Sequence, residues 1–425
     1  MKKSISKILV AVLVCAALCC AFAGCGNREQ ILKIYNWGEY MDPEVYEGFE
    51  DWYYEQTGKT IKVKYKEFDT NESMYTEISV NKADYDLVCP SDYMVERMRN
   101  AGLLKPLNKE IFTADKELYY DGLWDMVNDS VDPGLTYSMP YVWGTFGIMY
   151  DSEKVEEEDV ADFDSWEAMF SEKYKKKILM KNSVRDAYSI ARIYDNTAVL
   201  SQKSNGFTDY NADYKQALDS IFKLPDSDEQ MRANIAAAYD RLVKQKSVLL
   251  RYEVDDGKDD MINPDSEPKL GFFWSCDAGY AMEESNTLFY VVPKEGANVW
   301  VDCFVIPKYA RNEEAANYFL QYLCTATVDD SDEDFGGALV AEKNMDWLGT
   351  SIAVKEAMLS VKEQLEADDG SDEDSMFFEA PEGFKEMYLE MVFPPDEVLA
   401  RCAIMRDFGK FNFELDGMWI DVKTA

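Results

Sequence analysis

The sequence predicts an α/β protein, a sheet whose strands are joined by crossover helices. Two observations carry this. The chain after residue 30 opens as strand–helix–strand–helix–strand, and the same alternation returns through its middle. Its 425 residues give room for two or three domains, and 47% hydrophobic content is enough to fill their cores.

Residues 31–36 (Ile-Leu-Lys-Ile-Tyr-Asn) read as the first strand. A helix follows over about 43–57 and ends at Thr57-Gly58, where glycine suits the left-handed cap. Ile61, Val63 and Tyr65 then alternate with Lys62, Lys64 and Lys66, the period of a strand. Another helix covers about 71–82, and 85–90 is a short apolar strand closed by Pro90. Further on, 177–180 is a strand, a helix starts at Ser183, and 247–252 and 269–274 are strands. Residues 299–306 form another strand, which leads into a helix at about 312–325. This order implies a parallel sheet, and ligands of such sheets sit at the carboxyl ends of the strands.

The first 25 residues read as an export signal. Lys2, Lys3 and Lys7 precede a run at 8–22 that is apolar apart from its cysteines, and Phe22-Ala23-Gly24-Cys25 follows. The run is too short for a membrane span. Small residues directly before a cysteine resemble the bacterial lipobox, so Cys25 is expected to be lipidated and the protein anchored outside the cytoplasm. No later segment is long and apolar enough to cross a bilayer. Of nine cysteines, Cys89, Cys276, Cys303, Cys324 and Cys402 lie beyond this segment. They show no CxxC pair and no metal-ligand spacing, and read as buried free thiols.

Lys and Arg number 44 against 81 Asp and Glu, a formal charge of −37. Nucleic acid is excluded as a partner, because phosphate binding needs clustered Lys and Arg. The absence of histidine excludes a Ser-His-Asp triad, a Cys-His pair and a His-ligated zinc site. Carboxylate-only chemistry such as glycoside hydrolysis stays open. Two acidic runs, 329–334 and 368–374, read as solvated, mobile loops. The first mimics a calcium loop counted from Asp330, but Phe335 stands where that loop needs glycine.

Candidate site residues collect at the strand ends. Trp37, Glu39 and Tyr40 follow the first strand, and Ser91 and Tyr93 a later one. Asp186 follows 177–180, Trp274 and Asp277 follow 269–274, and Trp300 and Asp302 lie where a further strand begins. Such a carboxylate cluster repels itself unless a cation occupies it. Aromatic walls beside carboxylates suit an organic cation, since rings cover methylenes and attract ammonium while carboxylates accept charged hydrogen bonds. A linear polyamine has both features. No metal and no cofactor are expected.

Tyr35-Asn36-Trp37-Gly38-Glu39-Tyr40, Asn71-Glu72-Ser73-Met74-Tyr75, residues 85–93 (YDLVCPSDY) and Pro140-Tyr141-Val142-Trp143-Gly144-Thr145 resemble the spermidine/putrescine-binding proteins of bacterial polyamine ABC transporters. So do Trp274-Ser275-Cys276-Asp277, Val299-Trp300-Val301-Asp302 and 393–399 (FPPDEVL), so that the resemblance runs from about 31 to 425. It implies a periplasmic-binding-protein fold, two α/β lobes joined by crossover hinge segments around 140–143 and 302–306. Lobe 1 is expected over 31–141 and 303–345, lobe 2 over 142–302 and 346–425. It further implies a monomeric, non-enzymatic receptor that passes polyamine to an ABC permease.

By the same resemblance Glu39 receives one ligand amine, with Trp37 and Tyr40 as neighbours and Ser91 and Tyr93 on the same lobe. Asp186 falls where the family uses a carboxylate, Trp274 and Asp277 resemble a stacking ring and an amine-binding Asp, and Trp300 and Asp302 match its Trp-x-Asp. Ser183 stands where spermidine binders carry Asp. The family's Gly-Tyr motif is replaced by 347–351 (WLGTS), so Trp347 or Thr350 stands in for its tyrosine, and Met405 replaces a glutamine. These departures tilt the expected ligand toward putrescine or a mixed preference. The alternatives are another cationic solute in the same fold, a sensor without a permease, or a carboxylate-dependent extracytoplasmic glycosidase.

Overall fold

A computed structural model of the chain describes residues 28–425 except Asp374; the signal-type segment and Cys25 lie outside the described residues. Eleven strands form one mixed sheet. They are β1 (Ile31–Trp37), β2 (Lys62–Phe68), β3 (Leu87–Val88), β4 (Leu104–Lys105), β5 (Ser138–Asp151), β6 (Ile178–Lys181), β7 (Leu249–Glu253), β8 (Leu270–Trp274), β9 (Leu288–Val291), β10 (Ala297–Pro307) and β11 (Cys402–Ile404). The path is β2-β1-β3-β10-β5-β8-β6-β7, with β4 and β11 on β10 and β9 on β5.

The expected parallel sheet is present in two separate pieces. β1 pairs in parallel with β2 and β3, and β6 does so with β7 and β8. Between them the two long strands β5 and β10 run antiparallel to each other. β5 changes neighbours midway: residues 138–145 pair with β10, whereas 146–151 pair with β8 and β9. β10 likewise meets β11 near its start and β3 and β4 near its end. The two parallel pieces are thus two lobes, joined through one antiparallel pair. Both pieces carry crossover helices, which is why the sequence alternation reads as a continuous parallel sheet.

β5 escaped the sequence reading because all fourteen of its residues are buried, so its pattern does not alternate. Its glycines are steric requirements. A Cβ on Gly147 would meet the Val291 carbonyl at 2.5 Å, and one on Gly144 would meet Ser275 Oγ at 2.1 Å and the Trp300 ring at 2.7 Å.

Local signals place the helices well. Asp42 caps Pro43–Thr57 by accepting from Glu44 N, and Gly58 closes it with φ 68°. That helix buries Phe49 against Phe319 of Glu313–Thr325, ring centroids 5.0 Å apart. Thr70 caps Asn71–Ser79, which ends earlier than its expected limit of 82. Only Leu87–Val88 of the expected 85–90 strand is paired. The five cysteines beyond Cys25 are free. No helix among the described residues is long and apolar enough to cross a membrane.

The first acidic run is not a loose loop. Asp332 accepts from the backbone of Asp334 and Phe335 and binds Lys343 Nζ at 2.7 Å, while the same lysine holds Glu44 at 2.7 Å. These bonds hold the Asp332 carboxyl down at about 2.

Candidate ligand-binding site

β10 places Trp300 and Asp302 in the middle of a strand, at the seam between the lobes, rather than at its start. Asp302 lies opposite Val142 of β5, next to the point where the pairing register slips, and forms an isolated bridge with Ser91. Tyr40 Oη donates to Asp302 Oδ2 at 2.9 Å. Ser91 is held by Asn71, whose Nδ2 donates to Ser91 Oγ at 3.0 Å and whose Oδ1 accepts from Ser91 N at 3.2 Å. Burial pushes the Asp302 carboxyl up to about 6, against the pull of the Ser91 and Tyr40 hydrogen bonds. Among the described residues it has no cationic partner.

Trp300 stays half-buried beside Gly144, and its Nε1 donates to the Thr145 carbonyl at 3.1 Å. Trp37 packs on Phe68 with ring centroids 4.5 Å apart, and its buried Nε1 has no hydrogen-bond partner. Glu39 is exposed in the loop after β1 at φ 49°, the left-handed region that a non-glycine residue enters only where the turn demands it. Tyr93 begins the helix Asp92–Asn100; its hydroxyl donates to Glu72 at 3.3 Å, and the Arg185 guanidinium covers its ring at 3.7 Å.

On the other lobe, Ser183 caps the helix Val184–Asp195 by accepting from Asp186 N, which accounts for it structurally. Asp186 is 7% exposed, and burial raises its carboxyl to about 6 while Ser183, Arg185, Lys181 and Trp274 pull the other way. Asp277, in the first turn of Ser275–Glu284, has a protein partner: Lys181 Nζ lies 2.7 Å from its Oδ2. That ammonium also sits 3.0 Å from Glu253 Oε1 and 4.6 Å from the centre of the Trp274 ring. Burial raises the Cys276 thiol, with smaller contributions from Asp277 and Asp302 and an opposing one from Lys181.

The structure therefore joins Tyr40, Ser91 and Asp302 in one cluster and Asp186, Trp274 and Asp277 in a second. Thr350 is buried, while Trp347 is exposed at the edge of an outer groove of about 610 Å³ that includes Asp42, Asp332 and Lys343. Met405 is buried, its sulfur 3.0 Å from Arg185 Nε. Sequence reading missed Asn71, which orients Ser91, and Lys181, although a lysine ending an otherwise apolar strand was a visible signal. It also missed Asp92, whose carboxylate accepts from Tyr93 N at 2.6 Å and Val301 N at 3.2 Å, tying this helix to β10. Burial lifts that carboxyl to about 8, so it is mostly protonated at neutral pH.

Over 324 residues, 76% of this chain and 80% of the relative, the sequence is 29% identical to the spermidine/putrescine-binding periplasmic protein of Escherichia coli (strain K12). It is also 29% identical over 328 residues to the putrescine-binding periplasmic protein PotF of the same species, covering 75% of this chain and 80% of that one. The spermidine/putrescine ABC transporter substrate-binding protein PotD of Streptococcus pneumoniae superposes with a TM-score of 0.63 at 26% identity, over 93% of this chain and 99% of the other. The two-lobed α/β architecture is that of the periplasmic binding proteins. Residues 49–329, well over half of the chain, match the bacterial extracellular solute-binding proteins, and the chain belongs to that family.

Proposed function

We propose that this chain is a receptor, lipid-anchored at Cys25 outside the cytoplasm, that captures a polyamine between its lobes and delivers it to an ABC permease. The observation that carries the reading is that two buried carboxylates beside candidate stacking rings, Asp186 near Trp274 and Asp302 on the strand of Trp300, have no ion-pair partner among the described residues. A buried carboxylate without a counter-cation is costly, and a ligand ammonium group removes that cost. Tryptophan rings at Trp274 and Trp300, with Trp37 at the end of β1, suit the methylene stems between ammonium groups. The names of the relatives supply the ligand class.

In this reading lobe 1 comprises 31–141 and 303–345 and contributes Glu39, Tyr40, Ser91 and Tyr93. Lobe 2 comprises 142–302 and 346–425 and contributes Asp186, Trp274, Asp277 and Trp300. Asp302 lies on the crossover itself, so it senses both lobes. Micromolar capture needs about 8 kcal/mol after the cost of closure. The test is calorimetric titration with putrescine, cadaverine, spermidine and spermine. One saturable site surviving moderate salt is expected, and it should be lost in Glu39→Gln/Asp302→Asn while the melting curve stays cooperative. Heats that scale with ligand charge and vanish with salt would reduce the effect to the −37 surface. Unaltered affinity in the double variant overturns the assignment of both residues.

A further inference from the structure

Lys181 ends β6 with its side chain fully buried. Its ammonium group has three oxygen neighbours: Asp277 Oδ2 at 2.7 Å, Glu253 Oε1 at 3.0 Å, and the Val254 carbonyl. It also faces two rings, 4.6 Å from the centre of Trp274 and 5.4 Å from that of Phe273. An ammonium between a carboxylate and an indole face is the environment that an aromatic–carboxylate cleft offers a ligand amine. Here the chain supplies that amine itself.

The other carboxylates show what remains. Glu253 lies behind the lysine, fully buried, and accepts from Gly257 N, so it belongs to the scaffold. Asp277 differs, because its side chain is 13% exposed and it begins the helix that directly follows Trp274. Trp274 also pulls the Asp186 carboxyl down against burial, so one indole borders both the lysine pair and a carboxylate with no ion-pair partner. A structural ion pair required only Lys181 and Glu253. The lysine reaches past that pair to a residue bordering the site.

We propose that Lys181 is a tethered ammonium that fills the amine position made by Trp274 and Asp277, so that the cleft takes one ammonium fewer from its ligand and selects a diamine over a triamine. The inference rests on the polyamine reading and specifies it further. Among the candidate site carboxylates, Asp186 and Asp302 are buried and form no ion pair, and they match two ligand ammonium groups. A third brought toward Trp274 meets a like charge that cannot move into water, which excludes the longer ligand by repulsion rather than by a lack of contacts.

The test compares putrescine and spermidine by titration calorimetry on the purified protein and on Lys181→Met/Glu253→Leu. That double variant removes the ammonium together with its rear partner, so Glu253 is not left as an unpaired buried charge, and only the partly exposed Asp277 loses its ion pair. The wild type should bind putrescine more tightly than spermidine, and the variant should raise spermidine affinity relative to putrescine at least tenfold. Lys181→Gln/Glu253→Gln, which keeps hydrogen bonding and nearly the same volume, should shift the ratio the same way if the apolar pair does not fold. Lys181→Arg, which keeps the charge, should leave the ratio near the wild-type value. A ratio within threefold of wild type in either folded double variant, or a wild type that prefers spermidine, overturns the proposal. If neither amine saturates the wild type, the polyamine reading itself fails, an outcome distinct from an unchanged ratio.

Discussion

Two carboxylates of this site were read alike from the sequence, and the structure treats them differently. Asp302 is buried beside hydroxyl groups, Tyr40 at 2.9 Å and Ser91, and burial raises its carboxyl to about 6. Asp277 is partly exposed and faces Lys181 at 2.7 Å. The first is incomplete without an external cation, whereas the second already has one. The difference teaches that a count of acidic residues in a cleft overstates its appetite for cations. The useful count is of buried carboxylates that the protein leaves unneutralised, and by that measure Asp186 resembles Asp302 rather than Asp277.

The comparison breaks most directly at Lys181. Although burial alone lowers its proton affinity, Asp277 and Glu253 together raise the ammonium above its usual value. Lys181→Met leaves Glu253 buried without a partner, and such half-broken pairs cost about 3–5 kcal/mol. Urea unfolding of the unliganded protein should register that loss. Recovery of most of it in Lys181→Met/Glu253→Leu separates the charge from the packing.

The opposite is expected of Asp302. Asp302→Asn removes a carboxylate that ligand alone neutralises, so affinity should fall about a hundredfold, equivalent to about 2.7 kcal/mol. The unliganded fold should gain stability at the same time. A carboxyl raised from its unfolded value near 3.8 to about 6 costs stability as pH climbs from 4 through 6, on the order of 3 kcal/mol once fully ionised. A variant that loses binding and also melts lower at pH 7.5 would contradict the contrast drawn with Lys181.

The same titration sharpens the comparison without mutagenesis. Between pH 7 and pH 5 the unliganded protein takes up protons on Asp186 and Asp302, while a ligand amine stays charged throughout. Ligand must then displace those protons, so affinity should weaken by about tenfold per carboxylate across that interval. Binding near pH 6 should release protons, visible as a dependence of the calorimetric heat on the buffer's own ionisation enthalpy. A flat profile would mean that these groups are not the ones the ligand meets.

The fold was legible where local chemistry decides. Thr57-Gly58, the Lys62–Lys66 alternation and the helix from Ser183 all appear within a residue or two of their expected places. β5 was illegible because it has no polar face, and its role as a crossover depends on pairing with strands more than a hundred residues away. At the site, residue types near strand ends drew in Tyr40, Ser91, Asp186, Trp274 and Asp277, whereas Trp300 and Asp302 sit mid-strand. Residue types could not tell Asp277 from Asp302, because the ion pair that separates them joins β6 to a helix nearly a hundred residues later. Arg185 illustrates the same limit: adjacent to Asp186 in sequence and acting on it electrostatically, it covers Tyr93 and Phe408 without forming an ion pair with Asp186.

The smallest expected effect lies where the lobes touch away from both clusters. Glu96, on the helix Asp92–Asn100, accepts from Arg406 Nε at 3.0 Å and Nη2 at 2.6 Å, and from Asp407 N at 3.0 Å. Arg406 lies two residues after β11, so this two-pronged pair fastens the helix to the segment that follows β11. Its Arg406 side chain is 31% exposed, and water competes for it. Glu96→Gln keeps the shape and one of the Arg406 hydrogen bonds but loses the charge, at a cost of about 1 kcal/mol. If the pair holds the lobes together around the ligand, that loss should appear as a roughly fivefold faster ligand release with little change in the capture rate. Stopped-flow displacement of a fluorescent polyamine reads both rates. An unchanged release rate would place the stabilising contacts of the closed lobes in the Asp302 cluster alone.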